Sequence, residues 1–291
     1  MRTTKKGKFF LYLILTLGAL LILFPMYITI TTTFKTPAES AVSFFTLPNS
    51  LYLGNYATVL QDEKLYYAYG NTILITVVSL LGEMLILPPM GFALSRGMKQ
   101  NRFFKGLYFF FLLGIFLPWQ VRMMPVVKLM GWLGLLSPLG ITLLYVAHAT
   151  CESMFLYVGY LATVSDSIEE AAYIDGANEL QILWKVIVPL CKPALATFTL
   201  FHAVGHWNGY FNATMYINSR DKWPLMLIVR EMVAESGTSM VHQSATAIED
   251  LAQPFTLQMA IIIFTIIPIL CVYPFVQKYF MKGMLMGSVK G

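Results

Sequence analysis

The strongest constraint in this sequence is the length of its apolar runs. Residues 9–30 pass without a charged side chain. A helix needs about 20 such residues to cross the hydrocarbon core of a bilayer. Comparable runs recur at 71–94, 107–124, 141–161, 190–214 and 257–280. Lipid offers the backbone no hydrogen-bond partner, so each run closes its own bonds as a helix. The expectation is an all-α integral membrane protein of six transmembrane helices. The first run is too long for the core of a secretory signal, and no small-x-small site closes it, so residues 9–32 read as a retained first span.

Composition agrees. Charged residues make up 12% of the 291-residue chain, against about 25% in soluble proteins, and the mean hydropathy is +0.65. A net charge of +5 raises nucleic acid as a partner, but the basic residues flank the spans instead. With the N-terminus in the cytoplasm, 13 Lys and Arg fall on the cytoplasmic side and 7 outside, as the positive-inside bias requires. Both termini are then cytoplasmic. Residues 1–8 form a basic start, 71–281 the core of helices two to six, 215–256 a long outer loop, and 282–291 a tail. Residues 33–70 read as a polar segment with interfacial tyrosines. The stretch 96–105 reads as a loop with Arg96, Lys99, Arg102 and Lys105 and no acid. Pro88-Pro89 predicts a kink or break in the second span, and Pro118 and Pro125 break the third. Cys151, Cys191 and Cys271 lie scattered, which makes neither a disulfide framework nor a metal quartet.

Between the fourth and fifth runs, residues 165–189 read SDSIEEAAYIDGANELQILWKVIVP. Five carboxylates fall within fifteen residues: Asp166, Glu169, Glu170, Asp175 and Glu179. Ser167 with Glu170 fits a capping box and predicts a helix from Ile168. Gly176 is its natural stop. Asn178 with Gln181 repeats the capping signal and predicts a second helix from Glu179. Leu180, Leu183, Trp184 and Ile187 form that helix's apolar stripe, and Pro189 opens the next span. Ala171 and Ala172 leave the first helix shallow enough for another surface to approach. A lipid-lying helix carries basic residues on its polar face; this one is acidic, which favours a protein partner.

The spaced pattern Glu170-Ala171-Ala172, Gly176, Val186-Ile187-Val188-Pro189 resembles the EAA loop of ABC importer permeases. Val186 and Val188 stand where the family has Ile and Leu. The run Tyr173-Ile174-Asp175-Gly176-Ala177 is similar to the sugar-importing, maltose-type branch. Leu117-Pro118-Trp119-Gln120 and Trp207-Asn208 extend the likeness. The resemblance implies that Glu169, Glu170, Ala171, Ala172, Asp175, Gly176 and Ala177 couple to an ATPase. It also implies that the tail Gly287-Ser288-Val289-Lys290-Gly291 reaches that ATPase. By the same resemblance the partners are two ATPase subunits holding ATP and Mg, a second homologous permease, an extracytoplasmic solute-binding protein, an oligosaccharide and membrane lipid. The location it implies is the bacterial cytoplasmic (inner) membrane. Arg220-Asp221-Lys222-Trp223-Pro224 resembles a subgroup that imports uronic-acid sugars such as alginate fragments. In maltose-type importers the sugar contacts within the membrane lie mainly on the other permease.

No G-x-x-x-x-G-K-[ST] occurs, so the chain cannot cradle ATP phosphates by that route. It reads as a non-enzyme that binds no cofactor itself. Glu83 lies mid-span, where an ionisable group is a functional candidate or a satisfied packing group. His202 and His206 share a helical face at a spacing that suits metal or, more simply, polar packing between helices. With Arg122, Trp207 and Asn208 they form the candidate substrate pathway. Arg122 and Lys128 suit an anionic sugar. The rival reading is an ion-coupled secondary sugar transporter, which needs inverted repeats or midplane ion ligands.

Overall fold

The computed structural model describes residues 5–242 and 255–274. Among them no strand occurs. The helices are α1 (Lys5–Thr33), α2 (Pro37–Val42), α3 (Gly54–Gln61), α4 (Glu63–Gln100), α5 (Arg102–Phe116), α6 (Trp119–Trp132), α7 (Pro138–Leu161) and α8 (Asp166–Ile174). They continue as α9 (Glu179–Leu190), α10 (Lys192–Trp207), α11 (Tyr210–Tyr216), α12 (Leu225–His242) and α13 (Phe255–Pro274). Helices α1, α4, α7 and α13 are each long and apolar enough to cross a membrane. The pairs α5–α6 and α9–α10 qualify as broken spans, bent by 102° and 74°.

Several boundaries differ from the sequence reading. Helix α4 runs unbroken through Pro88 and Pro89 to Gln100, so most of the expected 96–105 loop is helix. Only Asn101 interrupts it, capping α5 by accepting from the Phe103 N–H. The third run does not continue straight past Pro118; the chain turns there and starts α6, which carries Pro125 inside it. Asn208 and Gly209 divide the fifth run. Residues 33–70 contain α2 and α3, and α2 starts in a full capping box of Thr36 and Glu39. The expected outer loop contains α12, whose Leu225, Leu227, Ile228 and Val229 are buried. Residues 243–254 and 275–291 lie outside the described residues, so the end of the sixth run and the tail do too.

The chain divides into two compact units. One comprises residues 1–66 with 228–267. There Asn55 donates to the carbonyls of Thr33 and Lys35 at 2.9 and 3.0 Å and accepts from Thr256 at 3.1 Å. Lys35 is fully buried and donates to the Ser43 carbonyl at 2.8 Å; burial pulls its pKa down. The other unit comprises 67–227 with 268–291, and it positions the sites below. Its main core joins Leu87 and Leu94 of α4, Met154, Tyr157 and Leu161 of α7, and Ile182 and Ile187 of α9. Lipid gives no hydrophobic drive between spanning helices, so close packing carries the association. Gly91 shows it: a Cβ there would strike the ring of Tyr157.

Candidate functional site

Helix α8 is held by charge. It starts two residues earlier than its sequence suggests, with Ser165 at the cap and no side-chain capping bond. The expected Ser167–Glu170 box is absent because Ser167 lies inside the helix, its hydroxyl 2.8 Å from that of Ser165. Asp166 and Glu169 in the first turn complement the helix dipole. Glu169 is turned inward and buried. Arg96, at the end of α4, grips it with both arms of the guanidinium, Nε at 2.9 Å from Oε2 and Nη2 on Oε1. Lys99 meets Asp166 at 2.5 Å and holds that carboxyl below its ordinary pKa. Glu169, one of the residues expected to couple to an ATPase, thus anchors α8 to α4. The exposed face carries Glu170, Ala171 and Ile174, the last 86% exposed; Ala172 packs inward.

The end of α8 follows the local chemistry expected of it. Gly176 has φ +80°, a region where a Cβ is strained. The Ala177 N–H returns to the Ala172 carbonyl and the Gly176 N–H to that of Tyr173, both at 3.0 Å, the paired bonds of a Schellman stop. Asn178 and Gln181 then form a reciprocal capping box at 2.9 and 3.0 Å. The Tyr173 hydroxyl donates to Glu179 across the turn at 2.5 Å, which pushes the phenol up to about 12.

The face of α9 departs from the expected stripe. Ile182, Leu183 and Ile187 are buried, whereas Leu180 and Trp184 are 68% and 44% exposed. Residues Ile182–Ile187 form a π-turn, in which bonding shifts to i→i+5. Positions five apart, such as Ile182 and Ile187, then face the same way. The wide turn lies just before Pro189, which lacks an N–H and crowds the carbonyl four residues back. Pro189 lies inside α9 and does not open the next span; the bend comes at Cys191.

A buried polar cluster lies elsewhere in this unit. Glu83 of α4 is 1% exposed. His202 Nδ1 lies 2.8 Å from one of its oxygens and His206 Nε2 2.6 Å from the other. His202 Nε2 meets Ser153 of α7 at 3.3 Å, and Tyr145 stacks on His206 at 4.2 Å. The arrangement is polar packing between three helices. Among the described residues no group of three or more His, Cys, Asp or Glu is placed to hold a metal ion.

A cleft of about 440 Å³ opens between α6, α7 and α11, lined by Trp119, Arg122, His148, Asn208, Phe211 and Asn212 among others. Two of the expected pathway residues, Arg122 and Asn208, therefore line one cleft. Glu83, His202 and His206 do not line the cleft, although Tyr145 touches both places. Trp207 is buried edge-on against Tyr69 at 5.6 Å. The tail residues Gly287–Gly291 lie outside the described residues. The sequence reading missed the roles of Arg96, Lys99, Ser153 and Tyr145. For the first two a signal existed: a basic stretch without acids and an acidic one almost without bases can neutralise each other.

Residues 89–286 match the family described as "Binding-protein-dependent transport system inner membrane component". The chain belongs to that family. It is therefore a multi-pass inner membrane component of a transport system, and not a catalytic subunit. The permease is 35% identical over 288 residues to the multiple sugar-binding transport system permease protein MsmG of Streptococcus mutans, covering 98% of each chain. It is 32% identical to the polygalacturonan/rhamnogalacturonan transport system permease protein YtcP of Bacillus subtilis, covering 97% of each. A solved structure of a bacterial ABC transporter involved in the import of the acidic polysaccharide alginate contains a similar chain. The two share 32% identity and a TM-score of 0.80, over 96% of this chain and 99% of that one.

Proposed function

We propose that this permease forms half of the translocation pathway of an ATP-driven oligosaccharide importer, and that the oligosaccharide is acidic. Six spans serve the role, α5–α6 and α9–α10 each counting as one. Both termini and α8 then lie in the cytoplasm, where an ATPase sits. The observation that carries the reading is the state of α8: clamped to α4 by Arg96 and Lys99, stopped by Gly176, and exposed along Glu170, Ala171 and Ile174. A short helix braced this way passes a push from a partner into α4, α7 and α9 as a rigid body. Two ATPase subunits supply that push by binding ATP with Mg, a solute-binding protein delivers the sugar outside, and a second homologous permease completes the pathway. The acidic class is supported by the similarity to carriers of acidic polysaccharides and by an arginine in a cleft that makes no ion pair, described below.

The test is functional. Glu170→Lys reverses the charge of an exposed position and leaves the clamp intact. It is expected to abolish uptake and binding-protein-stimulated ATP hydrolysis while the amount of chain in the membrane stays the same. Unchanged uptake in this variant refutes the assignment of α8.

A further inference from the structure

We propose that the cleft between α6, α7 and α11 is a sugar subsite on this subunit, in which Arg122 selects for a uronate carboxylate. The inference rests on the reading of the chain as an oligosaccharide permease and goes beyond it, since the resemblance places the sugar contacts mainly on the other subunit.

The argument starts from charge. Arg122 lines the cleft, and its Nε is buried with no hydrogen-bond partner. Among the described residues no carboxylate lies within 4.0 Å of its guanidinium. The acid on the facing stretch of α7, Glu152, acts on Arg122 through space, but its close contact is with His148 at 3.3 Å. A cation in a membrane segment normally pairs or faces a functional cavity, and a buried polar atom left unbonded is costly. Arg122 therefore makes no ion pair among the described residues, and its charge is answered only at longer range, by Glu152. A guanidinium matches a carboxylate with two parallel N–H···O bonds.

The rest of the lining suits a saccharide. Trp119 and Phe211 meet edge to face at 5.0 Å and are both partly exposed; such faces pack on the C–H side of a sugar ring. Asn208 and Asn212 also line the cleft, the Asn212 side chain bonded to the Tyr145 hydroxyl. The Asn208 amide nitrogen is anchored on the Val204 carbonyl at 2.9 Å, which orients its oxygen. A volume of about 440 Å³ is within the range of small-molecule sites. One cation, two aromatic rings and oriented amides describe a site for one acidic sugar residue of a chain.

The complete transporter in phosphatidylcholine nanodiscs would be titrated with trigalacturonate, trimannuronate and neutral galactotriose, following saturation-transfer NMR signals. The wild type is expected to prefer a uronate over galactotriose. Arg122→Gln is expected to reduce that preference about tenfold or more, the worth of a charged hydrogen bond, while galactotriose binding persists. Arg122→Lys should retain part of the preference, which separates lost charge from misfolding. Trp119→Ala should weaken both kinds of sugar. An unchanged preference in Arg122→Gln overturns the proposal. So does loss of the wild-type preference when anionic phospholipid is added, which would identify Arg122 as a lipid-phosphate site. Uptake by intact cells separates the two levels. Cells that import a uronate through a transporter whose cleft binds none refute the subsite alone, whereas cells that import neither kind of trimer refute the parent reading.

Discussion

Arg96 and Glu169 are 73 positions apart and make one two-armed ion pair. Their side chains are only 16% and 9% exposed, so removing either leaves a charge with little access to water. Glu169→Ala should destabilise the seat of α8 by about 1.5–3 kcal/mol. The double variant with Arg96→Ala should recover part of that loss, because the orphaned guanidinium goes too; thermal unfolding in detergent closes the cycle. Asp166 follows the usual carboxylate sign. Its folded pKa lies below the ordinary aspartate value because of Lys99, so its contribution is full above about pH 4 and fades as pH falls through the lower folded value. Asp166→Asn should flatten the acid limb of a stability–pH curve. At Gly176 the φ of +80° makes Gly176→Ala cost about 1–2 kcal/mol, read from the same melts.

Elements raise a different question, that of which face a helix presents. The apolar stripe of α9 was read with a 3.6-residue period, yet the π-turn at Ile182–Ile187 brings residues five apart together. One prediction follows from that geometry alone. Deleting Lys185, exposed in the π-turn, returns the segment to an α-helix in which the two isoleucines sit four apart and still share a face. The deletion should be tolerated. Deleting Ser153 from the regular α7 turns every later side chain by about 100° and should abolish assembly. Size-exclusion profiles of the two deletions in detergent decide it. The contact of α4 with α7 is as exacting: Gly91→Ala drives a methyl into Tyr157, which is 0% exposed, at a cost of about 1–3 kcal/mol. The stop of α8 and the start of α9 were legible because capping is a matter of adjacent residues. The start of α8 was misplaced because two serines, Ser165 and Ser167, both suit a cap, and the choice between them rests on the clamp to α4.

For the whole molecule, the recognition of a transport component came from local pattern and was borne out by the family match over residues 89–286. What was not legible was convergence. Glu83 was visible as an acid in an apolar run, and His202 with His206 as a pair on one face. Nothing in either segment states that they meet at 2.6–2.8 Å. The cleft is similar: Arg122 and Asn208 were separate observations until the bend between α5 and α6 and the break at Gly209 brought them to one cleft, beside Phe211. The sequence by itself determined that the chain is helical and membrane-embedded, and where the acidic helix stops and the next one is capped, because run length, charge and capping act between near neighbours. Tertiary structure decided which side of each helix faces inward, that Glu169 anchors while Glu170 is displayed, and that one arginine stands unpaired in a cleft. Those outcomes depend on bends, a π-turn and ion pairs between residues far apart in the chain, whose geometry no local period encodes.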